Sequence, residues 1–350
     1  MKRRSFLKGV GGAVGAGAVV STSLGRENEP APVKLAALPR RVLGRTGASL
    51  PVVGFPGLAL QHHEQAACGD ILRKAMEAGV DYFDVAPAYG KDGECEIKMG
   101  AALEGIPRDK YFLACKTKAD DKEGARRELE RSLQRLKTDH FDLYQLHCLQ
   151  RPDEVAQALG PNGALEAIVK AKEEGKIRHI GFSAHTTKAA VAAMEGFAFD
   201  SCMFPINFVE FFRIGFGKDV LETAAKKGTA VISIKPVSRG SWPKDAKKTY
   251  DWWYRPLEDE TEMQQAMNWV LSQKGVVTTL PASFLDVFER TVKAARSFRT
   301  VTPEETTALK TLADSCISIF EREEKAVAAF WPEEGAVRNP HRRARKGSLG

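Results

Sequence analysis

A chain of 350 residues in which 43% of side chains are hydrophobic and 28% charged has the length and composition of one large globular domain rather than several. Its formal charge of +7 invites a nucleic-acid reading, yet residues 1–25 carry +4 and the tail from Arg338 carries +5, which leaves −2 for residues 26–337. A nearly neutral body argues against a phosphate-binding face as its main business, and the basic tail reads as a solvated, frayed end.

The first element in chain order is an address rather than a fold. Lys2, Arg3, Arg4, Ser5, Phe6, Leu7 and Lys8 lead into a Gly/Ala/Val run over residues 9–20, too short to cross a bilayer as an ordinary transmembrane helix. This pattern resembles a twin-arginine export signal, with Arg3 and Arg4 as the pair, although no clean A-x-A cleavage site follows. Residues 1–25 are therefore expected to engage the twin-arginine export machinery. The protein is expected to be periplasmic or otherwise extracytoplasmic, and held at the membrane if the signal stays uncleaved. Residues 26–37, with Pro30 and Pro32, form a linker.

Residues 41–51, with Gly44 and the Thr46-Gly47 pair, predict a hairpin that plugs one end of the domain. Eight strand-like runs follow, at residues 50–58, 82–85, 111–116, 141–146, 177–183, 201–207, 229–234 and 276–280. Helical patterns rich in Ala, Leu, Glu and Lys lie between them, such as 124–136 and 164–174, the latter ended by Gly175. Short strands alternating with helices argue for parallel pairing, and eight units argue for a closed α/β barrel, (β/α)8, as a single domain over residues 38–315. A doubly wound sheet is the runner-up, but no G-x-G-x-x-G opens a helix after a strand. Residues 316–350 supply a C-terminal helix and the basic tail.

Chemistry in such barrels gathers at the carboxyl ends of the strands, and four residues stand there. Asp84 ends the second run, Tyr89 follows it in the loop, Lys116 closes the third run and His147 follows the fourth. A carbonyl that accepts hydride develops negative charge on oxygen, so an acid must deliver a proton. Tyr89 is the acid, Lys116 lowers its pKa by stabilising phenolate, and Asp84 holds the ammonium in place. His147 is placed to hydrogen-bond the substrate oxygen and orient it.

The stretches RRVLGRTGASLPVVGFPG, GVDYFDVAPAYG with CEIKMGAAL after it, FLACKTK, LERSLQRLKTDHFDLYQLH, EEGKIRHIGFSAH and VISIKPVSRG together resemble the aldo-keto reductase family over most of residues 38–315. The resemblance implies a TIM barrel, a nicotinamide cofactor (NADP, with NAD possible) bound without a Rossmann fold, and Asp84, Tyr89, Lys116 and His147 as a catalytic tetrad. It implies an aldehyde or ketone interconverted with its alcohol. On the cofactor side it points to Ser183, Met203, Lys235, Pro236, Val237, Gly240 and Ser283. The departures fall there too: Ala184 and His185 follow Ser183 where the family has Asn, and Met203 stands in place of a glutamine. Ile234 replaces a stacking aromatic, and Arg290 is the nearest guanidinium to the eighth strand end. A competing reading on the same fold is a cofactor-binding sensor or partner protein with weak turnover.

Lesser signals complete the chain. His62, His63 and Glu64 do not have the spacing of a metal site, so no metal is expected. Trp242, Trp252, Trp253 and Tyr254 concentrate in a loop after the seventh run, where they could form part of a substrate wall. Six cysteines lie scattered without zinc or iron–sulfur spacing and read as buried thiols, in keeping with folding in the cytoplasm before export.

Overall fold

Parallel strands are covered on both faces, and those of this protein are short and almost wholly buried. The computed structural model of the protein describes residues 36–331; the expected signal segment at 1–25, nearly all of the expected linker and the basic tail lie outside the described residues. A hairpin of β1 (Arg40–Val42) and β2 (Ser49–Pro51) comes first. Then follow β3 (Phe55–Pro56), β4 (Tyr82–Asp84), β5 (Phe112–Thr117), β6 (Phe141–Leu149), β7 (Ile177–Ala184), β8 (Ser201–Pro205), β9 (Ala230–Ile234) and β10 (Val276–Leu280), each parallel to the next in one sheet. Gly54 N–H donates to Thr279 O and Thr279 N–H to Val52 O, both at 2.9 Å, so the last strand meets the first and the sheet closes into a barrel.

Helices α1 (Gln65–Glu77), α2 (Glu94–Ala102), α3 (Lys122–Leu136), α4 (Pro152–Leu159), α5 (Ala164–Glu173), α6 (Thr187–Gly196), α7 (Phe208–Ile214), α8 (Lys218–Lys227) and α9 (Glu260–Ser272) fill the connections between strands. After β10 come α10 (Leu285–Arg296), α11 (Pro303–Asp314) and α12 (Glu321–Phe330). Local chemistry sets their ends. The Asp121 carboxylate accepts from Gly124 N at 2.8 Å to start α3. Thr302 and Glu305 cap α11 reciprocally around Pro303. Beyond α5 the chain turns at Gly175, with φ +78°.

The expected hairpin plug is present. Leu43 and Leu50 are fully buried and pack with Tyr82, Ala114, Leu143 and Ile232 inside the barrel. The first expected strand, residues 50–58, is corrected: it is two pieces. Ser49–Pro51 pairs back onto β1, residues 52–54 bond to Thr279 of β10, and Phe55–Pro56 pairs with β4 before a 3-10 turn at Gly57–His62. Proline lacks the N–H a ladder needs, and Pro51 and Pro56 each stand as the last paired residue of their short strand. Gly54 between them is obligatory, because a Cβ there would lie 2.4 Å from the Tyr82 ring. Two other edges moved by more than one residue. The strand expected over 201–207 stops at Pro205, since Asn207 instead accepts from Glu210 N at 3.0 Å and caps α7. The strand expected over 141–146 runs on to Leu149 and takes in His147.

Candidate active site

Side chains alternate across a strand, so residues two apart share a face. Tyr82, Ala114 and Leu143 point into the barrel, and the same parity carries Asp84, Lys116, Gln145 and His147 to its carboxyl rim. Lys116 Nζ donates to Asp84 Oδ1 and to Val85 O at 3.2 Å, and it lies 4.9 Å from the centre of the Tyr89 ring. Asp84 Oδ2 accepts from Tyr82 Oη at 3.3 Å and from Gln145 Nε2 at 3.4 Å. The Tyr89 and His147 rings meet edge to face with centroids 5.7 Å apart. All four expected residues converge; Tyr82 and Gln145, the further partners of Asp84, were not singled out from the sequence. The signal for both was the same period of two.

Burial and charge compete at every member. Burial pushes the Asp84 carboxyl above its ordinary value, and Lys116, Tyr82 and Gln145 pull it back only in part. Burial also works against the Lys116 ammonium, but Asp84 and Tyr89 outweigh it and hold the lysine above its usual value. Tyr89 corrects the sequence expectation. Lys116 does act to lower it, yet burial is the larger influence and the phenol is pushed up to about 12. His147 is driven well below its usual value by burial, with Lys116 and Lys118 adding to the effect, so its ring is neutral at pH 7. Its Nδ1 is buried with no partner among the described residues.

Tyr89, Asp84 and His147 border a cavity of about 220 Å³. Of the residues expected on the cofactor side, Ser183, Met203, Lys235 and Ser283 line it together with Ile234 and His185. Pro236, Val237 and Gly240 do not line it. Val237 is buried in the core, and a Cβ on Gly240 would lie 2.2 Å from Ile317 O. That loop is tied to residues 316–320, where Ser241 N–H donates to Ile317 O at 2.7 Å, and Glu210 on α7 holds the same segment by accepting from Ile319 N at 3.0 Å. Arg290 is spent on Glu260 at 3.1 Å and on backbone carbonyls. Of the four aromatics in the loop after β9, Trp252, Trp253 and Tyr254 line the cavity, whereas Trp242 does not and donates its Nε1–H to Trp252 O at 2.8 Å. His62 stacks on Phe284 with centroids 4.9 Å apart, and Phe284 in turn meets Trp252 at 5.5 Å.

Residues 59–314 match the model of the aldo/keto reductase family. L-galactose dehydrogenase from Arabidopsis thaliana is 27% identical over 223 residues, 57% of this chain and 66% of that protein. A 6-dehydroglucose reductase from Novosphingobium aromaticivorans is 30% identical over 173 residues, 45% and 55% of the two chains. The chain thus spans between about half and two thirds of the length of these curated relatives. Among solved structures, the holo form of an aldo-keto reductase from Bacillus halodurans aligns with a TM-score of 0.64 at 23% identity, over 82% of this chain and 99% of that one. An aldo-keto reductase from Klebsiella pneumoniae in complex with NADPH aligns with a TM-score of 0.61 at 22% identity, over 78% and 94%. At that identity the structures speak to the fold, an eight-stranded TIM barrel. By its matched residues, this chain belongs to the aldo/keto reductase family.

Proposed function

We propose that this protein is an oxidoreductase that uses NADP(H) to interconvert an aldehyde or ketone with its alcohol, with Tyr89 as proton donor. The observation that carries the reading is the buried Lys116 ammonium, held between Asp84 and the Tyr89 ring at the edge of a cavity. A nicotinamide ring would supply hydride there, and Ser183, Met203, Ile234 and Ser283 are the cavity residues that would hold it. Membership of the aldo/keto reductase family supports a nicotinamide cofactor, and one fold neighbour was solved with NADPH.

The residues act on the substrate oxygen. A phenol pushed up to about 12 keeps its proton at pH 7 and is still a stronger acid than the alcohol being formed, so transfer to a developing alkoxide runs downhill. Phenolate left behind faces the Lys116 ammonium, whose charge Asp84 secures. Neutral His147 donates one N–H to the same oxygen and fixes its position. Tyr89→Phe keeps the ring and removes the acid. Steady-state reduction is expected to fall by roughly 10² to 10⁴ with cofactor binding intact, and near wild-type turnover would refute the assignment.

The same proposal places the protein outside the cytoplasm. Its support is the Arg3-Arg4 pair with Phe6, Leu7 and Lys8 before a short apolar run.

A further inference from the structure

Among the described residues, one cation in the cavity makes no ion pair. Lys235 follows β9 with φ +58°, a backbone conformation rare for residues with a side chain, and its N–H donates to Leu280 O at 3.0 Å. The residue is only 9% exposed and its side chain lines the cavity. Among the described residues its ammonium has one hydrogen-bond partner, His185 Nε2 at 3.5 Å, and it lies 5.5 and 5.6 Å from the ring centres of Trp253 and Phe320. Glu210 is the carboxylate whose charge reaches it, but that group is committed to Ser318 Oγ and to Ile319 N.

The donors can be counted. An ammonium has three N–H groups. His185 Nδ1 lies 3.3 Å from Cys148 Sγ, and a proton on Nε2 would face the lysine charge. The assigned tautomer therefore carries its proton on Nδ1 and accepts from Lys235 at Nε2. Two lysine N–H groups are left with no acceptor among the described residues. Burial lowers the Lys235 pKa to about 8, which leaves it mostly charged at pH 7. Two aromatic faces offset a part of the cost of burying that charge, and an anionic ligand would offset more.

We propose that Lys235 is the anion-binding residue of this cavity, positioned by His185, and that the ligand filling the cavity presents a carboxylate or phosphate oxygen to it. The inference rests on the site proposed above but not on its turnover. Two sources supply such an oxygen: the diphosphate of the cofactor, or an acidic group on the carbonyl substrate.

The test titrates the purified full-length protein with inorganic diphosphate, with benzoate and with NADPH, following tryptophan fluorescence because Trp252 and Trp253 wall the cavity. The wild type is expected to bind at least one of the two anions. Lys235→Met is expected to weaken that binding about tenfold or more, in the range of a hydrogen bond to a charged group, and Lys235→Arg to retain most of it. A parallel loss of NADPH and diphosphate assigns the anion to the cofactor. Loss of benzoate with NADPH unchanged assigns it to the substrate. His185→Gln keeps an acceptor for the ammonium and is expected to bind as wild type, whereas His185→Leu is expected to bind more weakly.

Thermal melts accompany each titration, and Lys235→Gln replaces the methionine variant if that one fails to fold. The inference is overturned if the wild type binds neither anion, or if a folded Lys235→Met or Lys235→Gln binds both as the wild type does. A chain that reduces no carbonyl yet binds diphosphate through Lys235 would refute the proposed reaction and leave this inference standing.

Discussion

Lys116 and Asp84 are fully or almost fully buried, and each is tolerable only because the other is there. Lys116→Met removes the charge that steadies the phenolate and strands a carboxyl in the barrel. Denaturant unfolding is expected to show a loss of about 3–5 kcal/mol, together with loss of reduction. Adding Asp84→Asn removes the stranded charge, so stability is expected to recover while activity stays lost. Recovery of both would show that the pair is structural only. The positions of the tetrad were legible because strand ends can be read from apolar runs that stop at Pro87, at Thr117 or just before Cys148. The net acidity of Tyr89 was not legible, since burial, the larger influence on it, exists only once the rim is assembled. Nor was the isolation of Lys235. It depends on Glu210 being taken by residues about 109 positions later in the chain.

Two helices approach closely at Gly100 on α2, where a Cβ would lie 2.2 Å from Arg135 O and 2.8 Å from Leu136 Cα on α3. Backbone on both sides leaves nothing flexible to give way. Gly100→Ala is expected to lower the urea midpoint by the equivalent of about 1–3 kcal/mol, the usual cost of overpacking, without changing the slope of the transition. An unchanged midpoint would mean the two helices can separate freely. The element pattern was otherwise readable, because strands covered on both sides are apolar throughout and the helices between them show their own period. The exception was the run at 50–58. It is apolar across both the hairpin arm and the first barrel strand, and pattern alone has no mark for the point where hydrogen bonding changes partner from β1 to Thr279.

At the scale of the whole molecule, the proposed export signal makes a claim about where the finished protein goes. A twin-arginine signal is read through its paired guanidinium groups, so replacing Arg3 and Arg4 with Lys keeps the charge and removes the pair. Cell fractionation is expected to find the wild type outside the cytoplasm and the double-lysine version inside it, folded and with equal activity. Equal extracytoplasmic amounts of both would refute the signal. All six cysteines are free thiols, which fits folding in a reducing compartment before transport. The tie between the loop after β9 and residues 316–320 sets a timetable for biosynthesis. A ribosome has produced every strand of the barrel once Leu280 is made, but the loop is fastened only when Ile317 and its neighbours emerge. The nascent chain thus passes through a stage at which every strand of the barrel has been made and the segment that fastens the loop has not. Readiness for a ligand is among the last properties that synthesis confers on this protein.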